Sequence, residues 1–415
     1  MDTVKIKDIC DVFDGPHATP TKTSDGPIYL GIDAITEDGK LNKSQFAHLS
    51  EDDYRIWTRR VTPQSGDIVF SYEATLGRYA IIPDGFYGCL GRRLAVIRNK
   101  STRINTKWLY YYFRSPQWSA FINSNIVKGS TVNRISVEDF PEYSVPLLPK
   151  NVQDRIASIL GNIDRKIEIN SHINDNLWQA INTIYDYWFT QFDFPNAYGK
   201  PYRTSGGELV WNDKIKRALP FGWTVTSIIS NPLTQVIKPG VDVFETKEYL
   251  ATAEVTGTSI ASGSIVDYEN REGRANMQPV VNSVWFAKMK NSIKHLFLNK
   301  EMAPIIDSTI LSTGFCGLQC SEKSFEYVAS FVSNPRFEII KDILAHGATQ
   351  EAVNNDDMES IAFVIPSDEI LEQYHTATKG MFAQISKNIC ENRELIKVRD
   401  WLLPMLMNGQ ATIAD

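Results

Sequence analysis

In two stretches of this chain, apolar residues recur at alternating steps of four and three. The first stretch reads Ile156, Leu160, Ile163, Ile167, Asn170, Asn174, Leu177, Ile181, Ile184, Trp188. The second, 218 residues later, reads Tyr374, Thr378, Met381, Ile385, Asn388, Asn392, Leu395, Arg399, Leu402, Leu406. This alternation keeps one side chain per turn on a single helical face, the a/d seam of a coiled coil. Both seams carry paired asparagines at the same two steps, Asn170 and Asn174 in one, Asn388 and Asn392 in the other. Apolar residues there would be more stable, so the pairs point to the choice of a partner and a register. Thr378 and Arg399 stand where the first seam has Leu160 and Ile181, which leaves the register of the second helix open.

No proline interrupts residues 151–189, and at ~1.5 Å per residue that helix reaches on the order of 50 Å. Pro146 and Pro149 close the segment before it, while Pro404 and Gly409 are read as stop signals for the second helix. Ahead of the first helix, short apolar runs (PIYLGI, DIVFSY, RLAVIR) predict strands, and NTKWLYYYFRS from Asn105 predicts a helix. Residues 192–223 are rich in Gly and Pro without periodicity and read as a linker. The segment after it repeats the earlier order. NSVWFAKMK falls where GDIVFSYEA fell, and HGATQEAVNNDDMESIAFVIP parallels KGSTVNRISVEDFPEYSVPLLP, with Gly347 matching Gly129 and Thr349 matching Thr131. An offset held at 216 to 218 residues is an internal repeat. The fold class expected is α+β, with two similar mixed α/β domains at 1–150 and 224–366, each followed by a long helix, at 151–191 and 367–409.

A hydrophobic fraction of 43% and a charged fraction of 22% are those of globular proteins, and no run of 18 apolar residues could span a membrane. The first ten residues lack the apolar core of a signal peptide, and five scattered cysteines fit a reducing cytoplasm. The net charge of −6 argues against a nucleic-acid partner until its distribution is read. Residues 85–137 contain no Asp or Glu but carry Arg92, Arg93, Arg98, Lys100, Arg103, Lys107, Arg114, Lys128 and Arg134. Residues 273–300 are likewise acid-free and carry Arg274, Lys288, Lys290, Lys294 and Lys300. Such stretches can follow a phosphate backbone, although solvated surface cations give the same pattern.

Catalytic signatures are missing. The sequence has no phosphate-binding loop with Lys and Ser or Thr, no dinucleotide-type glycine pattern, and no Asp-Pro-Pro-aromatic loop for a methylation target. Asp242, Glu245 and Lys247 lack nuclease spacing and read as surface charge; Cys316 and Cys320 lack nearby His and read as small core residues. Trp108, Tyr110, Tyr111, Tyr112 and Phe113 read as core packing rather than base stacking, and Ser136 with Asp139 has capping-box spacing. The positive signal is for binding. Candidate DNA contacts are Tyr72, Arg78, Arg92, Arg93, Lys128, Ser130, Thr131, Asn133 and Arg134 in the first half, and Arg274, Lys288, Lys290, Lys294, Thr349 and Gln350 in the second. Cations, hydroxyls and amides can hold phosphates, and Asn, Gln and Arg can read base edges through paired hydrogen bonds.

With these features in hand, the chain resembles the specificity subunit of Type I restriction-modification systems. The resemblance covers nearly the whole length. It is strongest in WFTQFDFPNAYGKPYRTSGGELVWNDKIKRALPFGW from Trp188, in the helix carrying Asn170 and Asn174, and in ENRELIKVRDWLLPMLMNG from Glu391. It implies two target recognition domains that each read half of a split double-stranded DNA target, with two spacer helices paired as an antiparallel coiled coil. It implies two modification subunits that methylate adenine with S-adenosylmethionine, restriction subunits that use ATP and Mg²⁺, and no cofactor or catalysis in this chain. A DNA-acting enzyme with an unrecognised site, and a coiled-coil scaffold that does not bind DNA, are the competing readings.

Overall fold

The computed structural model describes residues 2–129 and 132–409. They form two compact units, Met1–Arg165 with Lys397–Asp415, and Lys166–Ile396.

In the first unit, the runs DIVFSY and RLAVIR become neighbouring strands, Ile68–Ser71 and Leu94–Asn99, in an antiparallel sheet flanked by Cys10–Asp14 and Tyr79–Ile81. Ile68–Phe70 and Leu94–Ile97 within these runs are apolar at successive positions because both faces of this sheet are covered. Ile68, Phe70, Ala95 and Ile97 pack with Trp108, Phe113 and Trp118, whereas Val69, Leu94 and Val96 pack with Leu30, Ala34 and Leu90 on the other side. The first cover is a pair of helices, Thr106–Phe113 and Pro116–Ser124. The Asn105 and Ser115 side chains start them by accepting the Trp108 and Trp118 amides. The second cover is a smaller sheet in which Thr23–Leu30 runs parallel to Gly88–Leu90.

The second unit is built the same way. Its main sheet takes the order Thr234–Val236, Phe315–Cys320, Ser283–Ala287, His295–Leu298, all antiparallel. Helices Phe325–Ser333 and Pro335–Leu344 cover one face through Phe286, Leu318, Val328 and Phe337. A smaller sheet, with Lys247–Leu250 parallel to Thr309–Ser312, covers the other through Trp285, Leu250 and Leu311. Residues 192–223 are more than a connecting linker. They include the hairpin Leu209–Asn212 with Arg217–Pro220, and Phe192, Phe194 and Trp223 are buried in the core of the second unit. Aromatic burial, rather than periodic patterning, orders this segment, with Phe194 and Trp223 stacked at 5.2 Å.

Two long helices carry the seams. The central helix, Lys150–Tyr185, continues as a π-helical turn, Asp186–Thr190, and the C-terminal helix is Asp368–Met407. Pro404 lies inside the last turns and does not stop that helix; the left-handed Gly409 (φ 73°) follows its end. So near a terminus the missing proline amide disturbs little, and the Asn408 amide still bonds the Pro404 carbonyl. Within Lys166–Ile396 the helices are antiparallel: Asn170 meets Asn392, Asn174 meets Asn388, Trp178 meets Phe382 and Tyr185 meets Tyr374. Both polar departures in the second seam have partners. The Thr378 hydroxyl donates to the Tyr374 carbonyl, and the buried Arg399 guanidinium pairs with Asp164 at 2.9 Å and with Asp400. No helix of the described residues is long and apolar enough to cross a membrane.

Candidate nucleic-acid interface

Backbone hydrogen bonds gather most of the first-half candidates at one end of the main sheet. The strand Ile68–Ser71 ends where Leu94–Asn99 and Tyr79–Ile81 begin, so Tyr72, Arg78, Arg92 and Arg93 converge there. The Tyr72 amide bonds the Arg93 carbonyl, and the Ser71 amide bonds the Arg78 carbonyl. A loop then closes over this end. Val127 and Arg134 exchange backbone bonds of 2.9 and 3.1 Å, and the Ile135 amide donates to the Tyr72 carbonyl at 2.8 Å. The loop demands glycine at Gly129, where a Cβ would collide with the Val132 carbonyl. Lys128, Asn133, Arg134 and Arg92 are exposed on this end, and Ser130 and Thr131 lie outside the described residues.

The second unit repeats the construction. The Ala287 amide bonds the Lys294 carbonyl, the Lys288 amide bonds the Gly314 carbonyl, and the Thr313 amide bonds the Arg274 carbonyl. Lys288, Lys290, Lys294 and Arg274 therefore share the matching sheet end. His346 and Ala352 exchange backbone bonds as Val127 and Arg134 do, and the Val353 amide donates to the Lys288 carbonyl at 3.0 Å, as Ile135 does to Tyr72. Gly347 repeats the demand of Gly129, since a Cβ there would collide with the Gln350 carbonyl. Thr349 and Gln350 are exposed on the loop.

Several candidates are less available than their sequence positions imply. The Tyr72 ring is 5% exposed, and burial with the neighbouring Asp14 pushes its phenol well above the usual range, so it contributes structure rather than a free hydroxyl. Arg78 donates to the Ile35 carbonyl and to Glu37; Arg93, held at φ 73°, pairs with Glu73 at 3.0 Å. Lys290 pairs with Glu351 at 2.9 Å, and Lys294 donates to the Thr252 carbonyl. The acid-free stretch is partly neutralised from elsewhere in the chain. Arg98 pairs with the buried Asp67 at 2.6 Å and Lys100 with Asp11 at 2.7 Å. Among the described residues no ion pair engages Arg92, Lys128, Arg134, Arg274 or Lys288.

Other sequence motifs are absorbed by the cores. Trp108, Tyr110, Tyr111 and Phe113 are buried, Tyr111 donating to Asp164 at 2.6 Å, and the Ser136 hydroxyl accepts the Asp139 amide. Cys316 and Cys320 are buried in one strand, where burial pushes the Cys316 thiol up to about 12. On the helices, Asn170 donates to Asn392 at 2.9 Å and to Glu391 at 2.7 Å, and Asn388 donates to Asn174 at 2.8 Å.

One cluster escaped sequence reasoning. Beneath the second sheet end lie His295, Glu338 and Lys341, which are 4%, 6% and 0% exposed. Their sequence separations of 43 and 3 carry no motif. Only the lone His295 inside an apolar strand and the Lys341 on the buried face of its helix could have hinted at it.

Four likenesses, to a family model, two relatives and a solved structure, bear on this geometry. Residues 1–179 match the family model described as the Type I restriction modification DNA specificity domain. The chain is 24% identical, over its full length and 94% of the relative, to the Type I restriction enzyme MjaIX specificity subunit of Methanocaldococcus jannaschii. It is 22% identical, over 84% of its length and 87% of the relative, to the HindI specificity subunit of Haemophilus influenzae. The fold resembles the crystal structure of a Type I restriction-modification S subunit from M. genitalium, with a TM-score of 0.50 and 13% identity, covering 98% of this chain and 95% of that one.

Proposed function

We propose that the chain belongs to the specificity-subunit family of Type I restriction-modification systems and that it chooses the DNA sequence on which such a complex acts. The observation that carries this reading is the duplicated sheet end, closed each time by a glycine-dependent loop and each time bearing exposed cations and amides. Phosphate contacts from Arg92, Lys128, Arg134, Arg274 and Lys288 would fix position, and Asn133, Thr349 and Gln350 would read base edges. Because the loops differ in sequence, the two half-sites differ.

On this reading the chain carries out no bond-making step and binds no cofactor. Two modification subunits, using S-adenosylmethionine, methylate adenine, and restriction subunits use ATP and Mg²⁺. The paired helices set the unread spacer between the half-sites, with Asn170, Asn174, Asn388 and Asn392 selecting the register. The test is to delete matched heptads from both helices and map the modified target. The expected outcome is a changed spacer with both half-sites retained; an unchanged spacer counts against the reading. A second expectation concerns salt, since each phosphate contact lowers the slope of log affinity against log salt by about 0.9. Alanine at Arg134 should flatten that slope by about one contact without changing base preference, measured on the complex by titration at several salt concentrations.

A further inference from the structure

Lys341 has no exposed surface, yet its ammonium has a full set of partners. It lies 2.6 Å from Glu338 Oε2 and 3.2 Å from each of the Ala287 and Ser292 carbonyl oxygens. Two of its three donors go to the carbonyls, and the Glu338 carboxylate lies against it as an ion pair. Glu338 is held in turn by His295, whose Nε2 lies 2.8 Å from Oε1. The next residue on the helix, Asp342, accepts the amide of Asn291, which is in the left-handed region at φ 53°. Hence the helix Pro335–Leu344 grips one turn, between Ala287 and His295, through a cation at its carbonyls and an anion at its amide.

That turn carries Lys288, Lys290 and Lys294. Burying an ammonium is costly, and an apolar side chain of the same length would fill the space without that cost, so stability alone does not explain the charge. Its geometry does: the two carbonyls it joins lie at the two sides of the turn. We infer that Lys341 is a positioning residue for sequence choice by the second unit, holding the turn through Glu338 and His295 beneath it. This inference rests on the reading of that sheet end as a DNA-contacting surface.

The experiment uses the full chain expressed with its modification subunits, and methylated adenines are mapped across the genome. Thr349→Ala with Gln350→Ala, on the loop whose Val353 amide bonds the Lys288 carbonyl of the turn, identifies the half-site read by the second unit, as the half whose consensus relaxes. Lys341→Met is then expected to relax that same half, raising modification at singly mismatched targets at least about tenfold, while the other half keeps its consensus. A loss of packing alone would lower modification at all targets together, without relaxing one half. If Lys341→Met does not accumulate, Asp342→Ala, which removes one bond to the turn, is read in the same way with a smaller relaxation expected. An unchanged consensus in both halves, or a uniform loss in both, overturns the inference. If the Thr349 and Gln350 substitutions leave both halves intact, the parent reading falls and this one with it. If they relax one half and Lys341→Met does not, only the inference about Lys341 falls.

Discussion

The two sheet ends share a backbone but differ in what lies beneath them. Tyr79 pairs with Phe70 in the first unit, and His295 pairs with Phe286 at the same register in the second. Beneath Tyr79 the contact is neutral, the Trp118 indole donating to its hydroxyl at 2.7 Å among stacked rings. Beneath His295 it is ionic, with Glu338 and Lys341. The repeat therefore conserves how the main chain is connected and leaves the chemistry of its support free to diverge. One support is held by aromatic packing, which is insensitive to salt and pH. The other is a charge network that is only as good as its full set of partners.

The largest difference should come from removing one partner. Glu338→Ala leaves Lys341 buried beside His295 without its carboxylate, and it should cost the second unit about 3–5 kcal/mol. Trp118→Phe, which keeps a ring but strands the Tyr79 hydroxyl, should cost the first unit about 1–3 kcal/mol. Native-state hydrogen exchange reads each unit separately; equal losses would erase the contrast.

Acid should act on the second unit through the same carboxylate. Burial pushes the Glu338 carboxyl up, but hydrogen bonds and charge from His295 and Lys341 together hold it below its ordinary 4.5. A carboxyl depressed on folding contributes stability above its unfolded value that is lost as pH falls through the folded one. Glu338→Gln should therefore flatten the loss of protection in the second unit below about pH 4.5. Glu326 gives the opposite sign in the same unit, since burial there outweighs the help from His375 and the carboxyl is raised. Its burial is least costly in acid, so Glu326→Gln should remove a contribution that weakens the unit as pH rises.

The smallest effect concerns the helices. Replacing Asn170 and Asn392 together by Leu should raise stability by about 1 kcal/mol while loosening register. Spin labels on the two helices would report this as a broadened distance distribution; a single sharp distance would remove the register role.

What the sequence disclosed was whatever is local or periodic. The 3-4 seams, the strand runs around Ile68 and Leu94, and the matched Gly129 and Gly347 could all be read because period and turn chemistry are written in neighbouring residues. Asp164 could not be assigned to Arg399, nor Glu338 to His295, because those partners meet only through tertiary packing. Residues 192–223 misled for a related reason: irregular backbone looks like a linker unless its aromatics are known to be buried. Acid-free stretches misled by omission, since Asp11, Asp67 and Glu73 neutralise Lys100, Arg98 and Arg93 from outside.

Mapping methylated adenines in cells that express the chain with its modification subunits tests the duplicated reader most directly. Two unequal half-sites separated by unread bases is the result expected. An uninterrupted target, or two identical half-sites in inverted order, would contradict it.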